Sequence, residues 1–143
     1  DTKIDIYKRI RDAASEAVLD GLAEELGDRF GAPPEHVGSL LDVQAVRVLG
    51  KAAGVREVSY AGGAVEAAFA AGREPTPGVL RRVLAACDVP LEFDARVGLT
   101  VRFPAPKDRP DALRAARKVL RHFVACGRLP HGEKGPRRGS RVY

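Results

Sequence analysis

The apolar residues of this chain change their period once, at Gly54, and that switch constrains the fold more than any other feature. Before it, apolar side chains recur at steps of three and four, as on helices with one buried stripe. After it they alternate, as on strands with one buried face, and a helical period returns after each pair of alternating runs. The pattern predicts an α+β fold: a helical N-terminal half packed with small antiparallel β-hairpins and two further helices.

The helical half reads as three segments. Residues 2 to 13 carry Ile6, Tyr7 and Ile10 at helical spacing. Ser15 is placed to cap a second helix, with Glu16 and Asp20 near its positive end and Leu19, Leu22, Leu26 and Phe30 along one face. Gly31 supplies the stop. Pro33-Pro34-Glu35 then opens a third helix, from about Pro34 to Ala53. Its apolar residues (Val37, Leu40, Leu41, Val43, Val46, Val48, Leu49) cover most of the circumference, so it is expected at the centre of the molecule.

Beyond Gly54, the runs Val55 to Tyr60 and Ala64 to Phe69 flank Gly62-Gly63, a hairpin signal. Thr76-Pro77 opens a helix with Val79, Leu80, Val83 and Leu84 on one side. Leu91 to Phe93 and Leu99 to Phe103 read as a second hairpin around residues 94 to 98. A last helix, from about Pro110 to Cys126, turns Leu113, Ala116, Leu120, Phe123 and Val124 inward. The second half therefore reads ββα twice, as a weak internal repeat or simply as hairpins each followed by a helix. The pattern predicts one domain over residues 1–128. The remainder, 129–143, is rich in Gly, Pro and Arg, lacks an apolar face, and is expected to be disordered alone.

A length of 143 residues suffices to bury a core without staples. The formal net charge of +5 belongs mostly to the end of the chain. Residues 128–143 hold five basic side chains against one acidic, whereas the body holds 19 against 18. No apolar run approaches the ~20 residues of a membrane-spanning helix, no secretory leader opens the chain, and a cytoplasmic piece of a longer protein is expected. Cys87 and Cys126 lack metal or redox spacing, and they read as small buried hydrophobes in preference to a disulfide or a reactive thiol.

Chemistry is hard to find. There is no phosphate-cradling glycine motif, His36, His122 and His131 lie in unrelated contexts, and no serine sits in a nucleophile turn. Neither an active site nor a bound cofactor or metal is expected. Two charged features stand out instead. Glu24, Glu25 and Asp28 crowd the C-terminal turns of the second helix, where the macrodipole disfavours carboxylates. With Leu22, Leu26 and Phe30 inward, Glu25 and Asp28 face outward as a repelling i,i+3 pair. That is either a solvated acidic face, partly neutralised by Arg29, or a surface awaiting a cationic partner. On the last helix, Arg114, Arg117, Lys118 and Arg121 form a stripe opposite the apolar face. With the basic tail it is either a solvated helix face or a nucleic-acid contact.

The first half also carries a family pattern. Tyr7-Lys8-Arg9-Ile10, then Glu25-Leu26-Gly27-Asp28-Arg29-Phe30-Gly31, then Pro34 and Leu40-Leu41-Asp42-Val43, resemble in order and spacing the C-terminal domain of bacterial transcription-repair coupling factors (Mfd). The resemblance thins after about Pro75. Gln44 departs from the alanine usual in that family, and Gly27 fills a variable slot. The resemblance implies a non-catalytic regulatory domain of an ATP-driven DNA translocase that serves nucleotide excision repair. Such a domain docks on the UvrB-like N-terminal module of its own parent chain and masks the surface that would bind UvrA. RNA polymerase and DNA would be contacted by other parts of the parent. The acidic pair would face arginines of the N-terminal module, which assigns partner binding to Glu25 and Asp28, with Arg29 beside them. An auxiliary DNA-binding role for the last helix and tail is the alternative.

Overall fold

A computed structural model describes residues 2–31 and 35–127. Five helices and four strands follow in the order α1 (Thr2–Asp12), α2 (Glu16–Phe30), α3 (Glu35–Ala53), β1 (Val55–Ala61), β2 (Ala64–Phe69), α4 (Pro77–Ala86), β3 (Glu92–Asp94), β4 (Thr100–Pro104) and α5 (Arg109–Gly127). The α+β architecture read from the period switch is the one observed. The expected basic tail, residues 129–143, and the expected opening of α3 at Pro33-Pro34 lie outside the described residues.

Local chemistry sets the element ends. The Ser15 hydroxyl accepts the Val18 N–H at 3.2 Å, the side-chain cap that its position before α2 foretold. Thr76 does the same for Val79 at the start of α4, with Pro77 in the first turn. At Gly54 the chain turns from α3 into β1 with φ of +88°, and a Cβ there would lie 2.7 Å from the Arg73 carbonyl oxygen. Only glycine meets both demands. Gly62 and Gly63 both take positive φ, as a two-residue hairpin turn of the favoured hand requires.

The strands form one antiparallel sheet in the order β1-β2-β4-β3, so the two hairpins join through β2 and β4. Val65, Ala67 and Phe69 of β2 and Val101 and Phe103 of β4 bury one face. Against it lie α5 and α4, with the Phe69 and Phe123 rings 5.4 Å apart and tilted. The opposite face is polar: register sets Arg102 between Glu66 and Glu92.

Two apolar clusters form, and α3 belongs to both. Val37, Leu41 and Ala45 pack with Ile10 of α1 and with Leu19, Leu22 and Leu26 of α2. Val46 and Leu49 pack with the sheet, α4 and α5. This is why α3 is apolar around most of its circumference. Leu40 and Leu84, counted as apolar-face residues from their spacing, are exposed at the ends of their stripes. Phe30's side chain lies outside the described residues. Cys126 is buried and Cys87 half-buried, both as free thiols, and burial, then the neighbouring Cys126, pushes the Cys87 thiol up. Among the described residues no helix is long and apolar enough to cross a membrane.

Candidate functional site

Helix α2 turns Leu19, Leu22 and Leu26 inward, which leaves Glu24, Asp28 and Arg29 exposed on its last turns. Asp28 has no hydrogen-bond or ion-pair partner among the described residues, and neither has Glu24. Glu25 is different. The Arg9 guanidinium of α1 donates to both its oxygens, Nη1 to Oε2 at 2.7 Å and Nη2 to Oε1 at 2.9 Å. Arg29, one turn on, lies 3.5 Å from Oε2.

The expectation of two open carboxylates side by side is therefore corrected at Glu25: its partner is already supplied, from 16 residues away, because α1 folds back onto the helical cluster. The hydrogen bond from Arg9 holds the Glu25 carboxyl below its usual value, with the charges of Arg9 and Arg29 adding to it against a smaller opposing effect of burial. The side chain nevertheless stays 38% exposed. A carboxylate accepts about four hydrogen bonds, so an incoming guanidinium can share it or displace Arg9.

The basic stripe of α5 meets the opposite fate. Arg117 is only 17% exposed and divides its donors among three carboxylates: Nε to Glu16 at 2.7 Å, Nη2 to Asp20 at 3.0 Å and Nη1 to Asp42 at 3.1 Å. Arg121 donates to both oxygens of Glu16, with the closest approach 2.6 Å. Lys118 pairs with Asp88 at 3.1 Å, and Arg114 with Asp111 one turn earlier. Each of the four cations has a carboxylate partner inside the molecule, so the stripe is less open than its spacing suggested, although Arg114, Lys118 and Arg121 stay exposed.

The cause is tertiary, since α5 packs along α3 beside the start of α2 and brings acids of both helices to its polar side. Hydrogen bonds from Arg121 and then Arg117 hold the Glu16 carboxyl below its ordinary value, although burial opposes them. For Arg117, burial favours the neutral form, yet its bonds to Glu16 and Asp42 outweigh that and raise its pKa.

Several residues in these clusters escaped the spacing argument. Arg9 carried a signal only as part of the Tyr7-Lys8-Arg9-Ile10 motif. Asp42 carried a better one, a carboxylate between Leu41 and Val43 in an apolar stretch of α3, which requires a buried partner. Gln44 donates to the Ala13 carbonyl at 3.0 Å and so ties α3 to the turn between α1 and α2. Nothing in its neighbourhood in sequence announces that bond. No group of three or more His, Cys, Asp or Glu among the described residues could hold a metal ion.

Five helices packed with a four-stranded antiparallel sheet, bearing these two ion clusters, place the chain in the α+β class. Residues 1–79, more than half of the chain, match the TRCF domain family, and the chain belongs to that family. Over 67 residues the chain is 36% identical to the transcription-repair-coupling factor of Escherichia coli (strain K12), a match that covers 46% of this chain and 6% of that protein. The fold is similar to a crystal structure of the C-terminal domain of transcription-repair coupling factor, with a TM-score of 0.68 over 87% of this chain and 81% of that one, at 24% identity.

Proposed function

We propose that the chain is the regulatory C-terminal domain of a transcription-repair coupling factor and that it acts by docking, without catalysis of its own. In this reading the acidic end of α2 seats on the UvrB-like N-terminal module of the parent chain and masks the surface that would otherwise bind UvrA. RNA polymerase and DNA engage other parts of the parent. The observation that carries the reading is Asp28, exposed and without a partner among the described residues at the negative end of α2, beside a Glu25 that is held in orientation yet open to a second cation. Arg9 and Arg29 then act as positioning groups. They keep the Glu25 carboxylate ionised and aimed, so an arriving arginine meets a prepared acceptor.

Docking within one chain runs at a high effective concentration, so a modest contact suffices, and it yields when a competing event makes the docked arrangement costly. The test is Glu25→Ala with Asp28→Ala in the full-length parent. Binding of UvrA to the N-terminal module should rise, while the circular dichroism and melting of the isolated domain stay close to the unmodified chain. A doubly substituted parent that binds UvrA no better than the original would refute the assignment.

A further inference from the structure

A second charged surface is left unmatched, in a groove that no residue of α2 lines. Between the second half of α3, strand β1, the loop after β2 and the first turns of α5 runs an open groove of about 420 Å³. Arg47, Lys51, Arg56, Arg73 and Arg109 line it, all exposed, against a single acid, Glu57, which Arg56 already holds at 3.2 Å. Arg47, Lys51 and Arg109 have no carboxylate partner among the described residues, and Arg73 spends a donor on the Lys51 carbonyl. Its floor is aliphatic, from Val43, Val46, Val58 and Leu113, with the half-buried Tyr60. Cations gathered on a concave surface repel one another, a cost that an anionic occupant would remove.

The wall formed by β1 selects the kind of occupant. β1 is an end strand of the sheet, seven residues long, whereas β3 at the other end has three. A two-residue turn closes on a hydrogen-bonded pair, here Ala61 with Ala64, and such pairs recur at every second residue. Val58 and Tyr60 therefore aim their backbone N–H and C=O groups away from β2, along the open edge. Nearer its start the strand is guarded by a bulge between Val55 and Glu57 and by the charges of Arg56 and Glu57. A peptide can pair with the rest of that edge; a nucleic acid cannot, and the floor offers no exposed aromatic platform for bases. A second copy paired edge to edge would bring two cationic rims together.

We infer that this groove binds an extended acidic segment of a partner protein, which adds a strand to β1 and directs its carboxylates at Lys51, Arg47 and Arg109. Small aliphatic side chains of the segment would occupy the floor. This surface is separate from the acidic end of α2, so the two contacts can fail independently.

The experiment titrates the 143-residue chain with a fluorescent, end-capped peptide of about ten residues, Glu interspersed with Val, a length that spans one strand. Binding should weaken steeply with salt. Lys51→Glu with Arg109→Glu should weaken it on the order of tenfold, since two favourable charge pairs become repulsive. The same peptide N-methylated at alternate amides, added to the unaltered protein, should lose at least about tenfold because the strand ladder cannot form. Asp28→Ala should leave all of this unchanged. The inference fails if the peptide does not bind at low salt, or if the methylated peptide binds equally. It fails also if an oligothymidylate binds in the groove more tightly than the peptide, or if the chain dimerises through β1 and thereby excludes it.

Discussion

The acidic end of α2 and the basic face of α5 look alike as sequence patterns, and the fold treats them in opposite ways. Both are like-charged side chains at helical spacing opposite an apolar stripe. On α5 each of the four cations finds a carboxylate, and the most central, Arg117, is drawn almost out of solvent by three of them. At the end of α2 Glu25 is matched, by Arg9 and Arg29, whereas Asp28 and Glu24 have no partner among the described residues. A charged stripe is thus a question that the packing of other elements answers. Where neighbours of opposite sign arrive, it becomes part of the framework; where none arrives, it stays available to something outside.

The contrast can be broken most sharply at Arg117. Arg117→Ala would strand Asp42 in a largely desolvated site and leave Glu16 to Arg121 alone, and breaking such a network costs about 3 kcal/mol. Urea unfolding of the variant should show a loss of that order. A variant within about 0.5 kcal/mol of the original would mean that the network is ornamental.

Acid titration separates the same pairs more finely. Glu16 is more acidic in the folded chain than its ordinary value of 4.5. Its stabilisation is therefore complete above the unfolded value and lost as pH falls through the lower folded one. Glu16→Gln should destabilise the chain most above pH ~5, and the gap to the unmodified protein should narrow as the pH falls through the lowered folded value. The exposed Asp94, which the Arg96 side chain pulls down to about 2, adds acid sensitivity that both proteins share. A gap constant across that range would show that Glu16 gains nothing from ionisation in the fold.

The smallest effects belong to the periphery of both stripes. Lys118→Ala and Arg114→Ala remove exposed pairs and should each change stability by less than about 0.5 kcal/mol. Asp28→Ala should leave the melting temperature unchanged or slightly higher, since it removes a carboxylate from the negative end of a helix. Marked destabilisation by Asp28→Ala would place that residue inside the framework and remove the distinction drawn here.

Much of the fold was legible in the sequence because its signals are local. The Ser15 cap, the leucine stripe of α2, the Gly62-Gly63 turn and the switch at Gly54 each depend on residues a few positions apart. The candidate site was legible by half. The macrodipole argument singled out both Glu25 and Asp28, but of the two only Asp28 lacks a partner among the described residues, because the guanidinium that donates to both Glu25 oxygens sits on another helix. The α5 stripe was legible as charge and not as structure. The partners of Arg117 and Arg121, namely Glu16, Asp20 and Asp42, are spread over two distant helices, and among these only Asp42, wedged into an apolar run, hinted at what it would do.

What the chain alone determined, then, is where each element starts and stops and which face it buries, since those follow from backbone geometry and apolar period within one or two turns. What only the tertiary structure decided is which charges are spent and which are left. Arg117 and Glu16 are 101 residues apart, yet their atoms meet at 2.7 Å. Nor does local pattern set the strand order that leaves β1 at an edge above a basic groove. Charge attraction carries no periodic signature of its partner. It acts between whatever groups the packing of apolar faces has already brought within reach.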